Sequence, residues 1–253
     1  MTEAYGGIGI NHMRYGIFSD VHSNIEAFTT AIEYYKKEKI DTYIFLGDII
    51  GYAANPKETI SLLRTLDPIC IAGNHDWAAI DKLSADYFNE YAREAIVWTK
   101  TQLSKAENSY LRSFPLTYQE KNFFCVHGSL NNPENFNYIW GINEARENFE
   151  LLTADILFMG HSHRTQIYYR NTKGVFFHPE GSISIKTGEK YIINVGSVGQ
   201  PRDRDSRLSL CIYDSEENIV SIKRLVYNIS LTAEKIIKAK LPQILASRLY
   251  VGW

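Results

Sequence analysis

The sequence predicts an α/β protein in which two mixed β-sheets pack face to face and are flanked by helices. Two observations lead to this prediction. Up to about residue 160, short apolar runs alternate with amphipathic segments, which is typical of parallel βα units. From about residue 165, short strand-like segments are separated by turn residues, which favours antiparallel pairing. Parallel units followed by antiparallel strands indicate two packed sheets with helices outside.

The chain opens with a predicted βαβαβ unit. Within the first helix Ile25, Phe28 and Ile32 recur at helical spacing, and Pro56 suits the first turn of the second helix. Such a unit implies a parallel sheet with right-handed crossovers. The predicted elements are the strands Tyr15–Ser19, Thr42–Leu46 and Ile69–Ala72 and the helices Asn24–Lys39 and Pro56–Leu66.

The remaining elements are predicted from the same patterns. Helices are expected near Ser84–Leu103, Lys105–Ser113 and Asn143–Leu152, with strands at Phe123–Val126 and Asp155–Met159. Six short strands come next, at Gln166–Arg170, Val175–Phe177, Ser182–Lys186, Tyr191–Val195, Leu208–Tyr213 and Ile219–Val226. A final helix over Thr232–Leu245 is expected to break or end near Pro242.

The length of the chain and the glycine content of its first twelve residues indicate the domain organisation. With 253 residues and 45% hydrophobic content, the chain can bury a core of its own. Residues 1–12 contain Gly6, Gly7 and Gly9 and differ in character from the rest of the chain. We therefore predict a loose tail over residues 1–12 and a single domain over residues 13–253.

Charge and cysteine usage limit the partners and the compartment. A formal net charge of −2 provides no basic patch, so a long nucleic acid is not an expected partner. No apolar stretch approaches the length of a membrane span, so no membrane partner is expected either. Cys70, Cys125 and Cys211 lie in apolar runs without paired spacing, which indicates buried free thiols and favours a cytoplasmic location.

Metal-binding or proton-handling residues directly follow five of the apolar runs. Because ligands gather beyond the carboxyl ends of strands in α/β sheets, these residues are expected to meet in one crevice. Residues at i and i+2 of an extended segment point the same way, and a set of O and N donors without thiolates suits divalent metals. The residues are Asp20 and His22, Asp48, Asn74 with His75 and Asp76, His127, and His161 with His163. The pattern predicts a two-metal hydrolase with Asp48 as bridging carboxylate.

Five motifs occur in order: Asp20-Val21-His22, Gly47-Asp48, Gly73-Asn74-His75-Asp76, His127-Gly128 and Gly160-His161-Ser162-His163. Together they resemble the calcineurin-like metallophosphoesterase superfamily. The later segment from Asn194 to Arg202 resembles the YfcE-like phosphodiesterase branch. The resemblance extends over nearly the whole chain after Met13 and implies a four-layer αββα metallophosphoesterase sandwich.

The resemblance also implies a role for each motif residue. One metal would be held by Asp20, His22, Asp48 and His163, and the other by Asp48, Asn74, His127 and His161. His75 would protonate the leaving oxygen, with Asp76 as its orienting partner. Manganese or iron is expected from the family, although the donor set also accepts zinc, cobalt and nickel.

Several of these residues also have structural interpretations. Taken alone, His22 or His127 is as readily an ordinary buried or capping histidine, and Asp76 is able to cap a helix that begins near Trp77. Asn24 either reaches the substrate phosphate or caps the first helix, and capping is favoured. Arg202 either clamps a phosphate or belongs to a surface salt-bridge network with Asp203 and Asp205.

The aromatic residues between Tyr87 and Trp98 allow two interpretations. Tyr87, Tyr91 and Trp98, with Phe88 beside them, have the spacing of a core-facing helix stripe, which is favoured over a nucleobase platform. A lid over the crevice is the other interpretation that stays open.

The predicted activity is hydrolysis of a phosphodiester or a nucleotide phosphoanhydride on a small phosphorylated substrate. In this hypothesis a hydroxide bridging two metals attacks phosphorus in line. The alternatives are a phosphomonoesterase of small metabolites and a non-catalytic scaffold that uses this fold to bind proteins. The sequence does not indicate the oligomeric state.

Overall fold

The computed structural model describes residues 13–179 and 181–253 and contains two six-stranded sheets. The predicted tail over residues 1–12 lies outside these residues. The strands are β1 (Arg14–Phe18), β2 (Thr42–Phe45), β3 (Ile69–Cys70), β4 (Thr117–Gln119), β5 (Phe123–Val126), β6 (Ile156–Met159), β7 (Thr165–Asn171), β8 (Gly174–His178), β9 (Ser182–Ser184), β10 (Lys190–Val195), β11 (Leu208–Asp214) and β12 (Ile219–Leu225). The helices are α1 (Ile25–Lys37), α2 (Pro56–Arg64), α3 (Asn74–Ala79), α4 (Glu90–Gln102), α5 (Lys105–Arg112), α6 (Ile142–Leu151), α7 (Ile229–Lys238) and α8 (Gln243–Ser247).

Both sheets are mixed. The first has the strand order β3-β2-β1-β11-β12-β9, and the second has the order β4-β5-β6-β10-β7-β8. In the first sheet β1, β2 and β3 run parallel, and in the second β5, β6 and β10 run parallel, while the other pairs are antiparallel. The predicted fold class, two mixed sheets flanked by helices, is confirmed.

Alternate residues of the central strands enter different cores. Ile17 of β1 lies opposite Ile44 of β2, and both belong to the core between the sheets. The next residue, Phe18, faces the other way and packs against Phe28 of α1, with ring centroids 5.3 Å apart. Because strand side chains alternate between faces, a strand covered on both sides appears in sequence as one continuous apolar run.

A separate hydrophobic cluster forms near the carboxyl end of the chain. α7, α8 and the following 3₁₀ turn (Arg248–Tyr250) form a cluster with α4 and with the loop after β2. Within this cluster Leu245 and Leu249 are buried together with Tyr52 and Ala53. The chain end therefore supports the segment that follows the second strand.

The structure differs from the predicted elements in three places. α3 begins at Asn74 rather than near Trp77, and the short strand β4 was not predicted. The predicted helix over residues 84–103 is instead a 3₁₀ turn (Ala85–Tyr87) followed by α4, because Asn89 caps a new start by accepting the Ala92 N–H. The expected break at Pro242 occurs between α7 and α8.

Two of the three cysteines are buried as predicted. Cys125 and Cys211 are buried free thiols, and Cys70 is free but only partly buried. Across residues 13–179 and 181–253, every helix is too short or too polar to cross a bilayer.

Replacing Phe28 by alanine should lower the free energy of unfolding by about 3–5 kcal/mol, since it removes a large buried ring and leaves a cavity. Phe28 is fully buried, whereas Phe177 is 51% exposed and provides the matched control. Urea denaturation of the two variants and the unmodified protein measures the difference. A Phe28→Ala midpoint equal to that of Phe177→Ala would contradict the assigned packing.

Candidate metal centre

The carboxyl ends of five parallel strands deliver the predicted ligands to one place. β1, β2 and β3 belong to the first sheet, and β5 and β6 belong to the second. The residues that follow them are Asp20 and His22, Asp48, Asn74 and His75, His127, and His161 and His163. All of the histidines and carboxylates in this set are buried.

Among the described residues, three overlapping groups could each hold a metal ion: two belong to the predicted ligand sets, and the other joins His22 and Asp48 to His75. Asp20, His22 and His163 make up the first, with all ligand atoms within 4.8 Å of one another. Within it, Asp20 Oδ1 lies 3.3 Å from His163 Nε2, and the Nε2 atoms of the two histidines are 3.0 Å apart. The second cluster consists of Asp48, His127 and His161.

Asp48 borders both clusters. Its Oδ2 lies 3.7 Å from His22 Nε2 and 3.4 Å from His127 Nε2. Its other oxygen, Oδ1, accepts the backbone N–H of His75 at 2.8 Å, which fixes the carboxylate. The geometry is that of a carboxylate able to bridge two cations.

Three of the imidazoles are oriented by the backbone. The Nδ1 atoms of His22, His127 and His163 each donate to a backbone carbonyl, so each Nε2 faces the clusters. The accepting carbonyls belong to Ile50, Leu46 and Gln200, at 3.0, 2.7 and 2.6 Å respectively.

Several buried ligand atoms have no hydrogen-bond partner among the described residues. They are Asp20 Oδ1, Asn74 Oδ1 and His127 Nε2. In addition, the lone pairs of His22 Nε2 and His163 Nε2 face each other at 3.0 Å, which is unfavourable unless a cation or a shared proton lies beside them. Since buried polar atoms are nearly always paired, these residues fit divalent cations.

The charge states of the clusters also fit cation binding. Burial opposes the ionisation of Asp20 and Asp48, but the imidazoles of His163 and His127 hold both carboxyl pKa values below the ordinary one. Burial, reinforced by the neighbouring His127, lowers the pKa of His161 to about 3, so that imidazole is neutral at pH 7. Burial opposes the charge of His127, but Asp48 raises its pKa to about 9, so this imidazole must release its proton when a cation binds.

The ligand-bearing turns adopt unusual backbone conformations. Five ligand residues have positive φ angles: Asp20 (54°), His22 (49°), Asp48 (63°), His161 (68°) and His163 (58°). The first two turns are joined by hydrogen bonds from the N–H groups of Asp20 and His22 to the carbonyls of Gly47 and Asp48, both at 3.0 Å. A Cβ on Gly73 would overlap the Asp48 carboxylate, so glycine is required there.

The predicted role of Asp76 requires a correction. Asp76 was expected to orient His75, but its carboxylate instead accepts the N–H groups of Asp48 (2.8 Å), Gly73 (3.0 Å) and Ile49 (3.1 Å). Burial, with the nearby charge of Asp48, raises its pKa to about 7. The N-terminal capping interpretation is nearer the structure, because Asp76 lies in the first turn of α3, but its main contacts fix the turn that carries Asp48.

His75 lies beside the clusters at the surface of a cavity. Its ring packs edge-on against Phe88 and His22, with centroids 4.8 Å away in both cases, and lies 4.6 Å from Tyr52. Its Nδ1 has no hydrogen-bond partner among the described residues. Burial holds its pKa well below the ordinary value, so the ring is neutral at pH 7.

The cavity has a volume of about 440 Å³, within the range of small-molecule sites. Predicted residues at its surface are Asn74, His75, His161 and Arg202. Sequence reasoning did not assign Tyr52, Phe136 or Tyr138 to this site. All three lie in loops after strands, where no periodicity marks them; their closeness to ligand motifs along the chain is the only available signal.

Arg202 and Asn24 had two interpretations each, and the structure separates them. Arg202 faces the cavity, with Cζ 5.2 Å above the ring of Tyr52, while Asp203 and Asp205 pair with Arg224 and Arg207. Asn24 Oδ1 instead accepts the N–H of Ala27 (3.1 Å), and its Nδ2 donates to the Gly199 carbonyl (2.8 Å). The favoured capping interpretation of Asn24 is therefore confirmed over contact with the substrate phosphate, since its amide caps α1 and tethers a loop.

A glutamine connects Arg202 to the chain end. Gln200 Oε1 accepts from Arg202 Nη2 at 2.7 Å and from Arg248 Nη1 at 3.3 Å. Two guanidinium groups thus share one amide oxygen next to the cavity. Because Arg248 follows α8, the C-terminal helices help to hold the position of Arg202.

The aromatic stripe near α4 is divided, because Phe88 and Trp98 pack against buried clusters as favoured, whereas Tyr87 and Tyr91 do not. Tyr87 is 83% exposed and Tyr91 is 44% exposed. Tyr87 and Phe88 line the cavity, which agrees with the alternative of a lid over the crevice. The 3₁₀ turn that interrupts the predicted helix changes the direction of these side chains.

A family profile and a relative of known sequence both match most of this chain. The sequence profile of the calcineurin-like phosphoesterase superfamily domain matches residues 13–218. Uncharacterized protein MJ0912 from Methanocaldococcus jannaschii is 37% identical over 240 residues, which cover 93% of this chain and 97% of that protein.

Solved structures show the same fold. The crystal structure of a metallophosphoesterase from Sphaerobacter thermophilus is 36% identical with a TM-score of 0.83, covering 96% of this chain and 100% of that one. Hypothetical protein PH1004 from Pyrococcus horikoshii OT3 is 21% identical with a TM-score of 0.76, covering 95% and 98%. The YfcE phosphoesterase from E. coli is a more distant neighbour, 18% identical with a TM-score of 0.44 over 85% and 100%.

The superfamily predicted from the ordered motifs is thus confirmed by the profile match and by the Sphaerobacter thermophilus structure. The YfcE similarity is too distant to argue about activity. The chain belongs to the calcineurin-like phosphoesterase superfamily, a membership that implies a metal-binding phosphoric ester hydrolase.

Proposed function

We propose that this protein is a dinuclear metal-dependent phosphoesterase that hydrolyses a phosphodiester or a nucleotide phosphoanhydride. One observation carries the proposal. Two clusters of buried candidate ligands meet at Asp48, which belongs to the second and lies 3.7 Å from His22 of the first. They adjoin a cavity whose surface also holds His75 and Arg202.

The proposed ligand sets divide the residues between two sites. Asp20, His22, Asp48 and His163 would hold one divalent cation, and Asp48, Asn74, His127 and His161 would hold the other. When bound, such a pair supplies an activated water near neutral pH and neutralises negative charge on the phosphoryl group. Manganese or iron is our proposal for their identity, given the mixed oxygen and nitrogen donors.

His75 is the proposed general acid. Its imidazole lines the cavity and carries an unpaired nitrogen. Burial keeps the ring neutral in the free protein, and an anionic phosphate placed beside it favours the protonated form. A proton held there can pass to the oxygen that leaves phosphorus.

Arg202 is the proposed binding group for the phosphate. Its guanidinium lines the cavity, and its Nε and Nη2 are fixed by the Gln200 oxygen at 3.2 and 2.7 Å. A guanidinium held in this way loses little rotamer entropy when it binds an anion. It would therefore add affinity for the substrate without taking part in proton transfer.

Replacing His75 by asparagine should lower turnover by about 10²–10⁴-fold and leave the metal content intact, since it removes a proton donor and no ligand. The metal-stripped protein is reconstituted separately with manganese, iron, nickel, zinc and magnesium. Each form is assayed with bis-(p-nitrophenyl) phosphate, p-nitrophenyl phosphate, cyclic AMP and diadenosine tetraphosphate.

The matched control for this panel is His178→Asn, a partly buried histidine of β8 outside the clusters. Equal turnover in the His75 and His178 variants would remove His75 from the mechanism. No turnover with any metal, despite two metals bound per chain, would favour the protein-binding scaffold.

Replacing Asp76 by asparagine should weaken metal binding by about 10–100-fold, the usual effect of losing a contact that orients a ligand. The amide would place a donor against one of the three backbone N–H groups that now position Asp48. Manganese affinity measured against a competing chelator tests this. Asp81→Asn, at an exposed carboxylate, should behave as the unmodified protein, and an unaltered affinity in Asp76→Asn would contradict the bracing role.

Replacing Arg202 by alanine should raise KM for anionic substrates by about 10–100-fold, the range expected for hydrogen bonds to a charged group. kcat should change much less, because the guanidinium binds the ground state and the transition state alike. Steady-state kinetics measure both constants. Arg93→Ala, at an exposed arginine of α4, is the control, and a thermal shift without a KM change would indicate a structural role only.

A further inference from the structure

We propose that Tyr87 forms a stacking subsite for a nucleobase at the mouth of the cavity, so that the substrate carries a nucleoside on its phosphate. This inference rests on the proposed function and narrows its substrate class. It starts from an aromatic side chain that the metal chemistry does not use.

Tyr87 combines high exposure with a position on the wall of the cavity. It ends the 3₁₀ turn before α4, lines the cavity and is 83% exposed. An exposed tyrosine ring on the wall of a cavity is available to a ligand. A planar ligand can stack on it and bury the largest aromatic area.

The other aromatic residues of the cavity already have partners. Phe88 and Tyr52 pack on His75, and Phe136 lies edge-on to Trp77. By contrast, no ring contact involves Tyr87 within the part of the chain that the structure describes. The free aromatic surface of the cavity is therefore concentrated at this residue.

Tyr138, on the loop before α6, shows what an occupied aromatic face looks like in this site. Its ring stacks on His161 at 3.9 Å and on Trp140 at 4.5 Å, and Arg164 lies 5.2 Å from the centroid of Trp140. This series fixes the plane of a proposed metal ligand. Tyr138 is thus a positioning residue, while Tyr87 remains open to a substrate.

Polar groups near Tyr87 suit the edge of a base. Asn89, Glu134 and Asn135 line the same cavity. Asn89 Oδ1 accepts the N–H of Ala92 at the start of α4, so its Nδ2 is the group left to donate to a ligand. Bases in protein sites are commonly stacked on an aromatic ring and hydrogen-bonded along their edges by such side chains.

The volume agrees with a ligand larger than a single phosphate group. At about 440 Å³ the cavity is within the range of sites for drug-sized molecules. Arg202 and the ligand clusters account for the phosphate, and the remaining wall is aromatic and amide in character. A nucleoside supplies the matching flat face and polar edge.

Calorimetric titration of the manganese-loaded protein with AMP and with ribose 5-phosphate tests the proposal, because ribose 5-phosphate carries an anomeric hydroxyl in place of the base. AMP should bind roughly 5- to 100-fold more tightly, the range that base–aromatic stacking provides. Tyr87→Leu should reduce this ratio to near one without altering the affinity for ribose 5-phosphate. Tyr87→Phe should retain the ratio, since stacking needs the ring and not the hydroxyl.

Tyr250→Leu, at a tyrosine that is 52% exposed and outside the cavity, is the matched control and should retain the ratio. Equal affinities for AMP and ribose 5-phosphate in the unmodified protein would overturn the proposal. An unchanged ratio in Tyr87→Leu, or a lost ratio in Tyr87→Phe, would do the same.

Turnover of methyl p-nitrophenyl phosphate is measured on the same preparations. Because binding needs no turnover, the base preference can be read even if the protein hydrolyses nothing. If the protein hydrolyses nothing, the proposed function is contradicted. If it hydrolyses the ester but binds AMP and ribose 5-phosphate equally, only the stacking subsite at Tyr87 is contradicted.

Discussion

The structure of the site depends on two carboxylates, Asp20 and Asp48, that are buried where the carboxyl ends of five parallel strands converge. A buried carboxylate without a counter-charge is so costly that the fold must provide one. Among the imidazoles around them, His127 supplies positive charge, because Asp48 raises its pKa to about 9 although burial opposes the charge. The Nδ1 atoms of His22, His127 and His163 donate to backbone carbonyls, so their Nε2 atoms face the two carboxylates. Cations bound there would satisfy the oxygen and nitrogen donors together.

The surrounding backbone is organised around the same requirement. Ligand residues such as Asp48 and His161 adopt left-handed conformations, each of which costs of order 1–3 kcal/mol in a strained site. The loops are held there by mutual hydrogen bonds and by Asp76, which accepts three backbone N–H groups. The central sheets, buried on both faces, provide the rigid support that makes such turns tolerable.

Much of the fold was predictable because its signals are local. Continuous apolar runs identified the parallel strands, and the ordered polar residues after them identified the candidate ligands that the structure brings together. Contacts between distant segments were not predictable. Asp76 was paired with its sequence neighbour His75, whereas it contacts the loop after β2. Tyr138 and Tyr87 lie in irregular segments, where no periodicity indicates which way a ring points.

The C-terminal helices contact the candidate site although they lie outside the profile match. That match covers residues 13–218, whereas α7, α8 and Arg248 come after it. Yet they pack beneath Tyr52 and reach Arg202 through Gln200. The candidate ligands thus lie within the matched part of the chain, while the position of Arg202 also depends on helices outside it. Substitutions in α7 or α8 can therefore shift Arg202 without altering any candidate ligand.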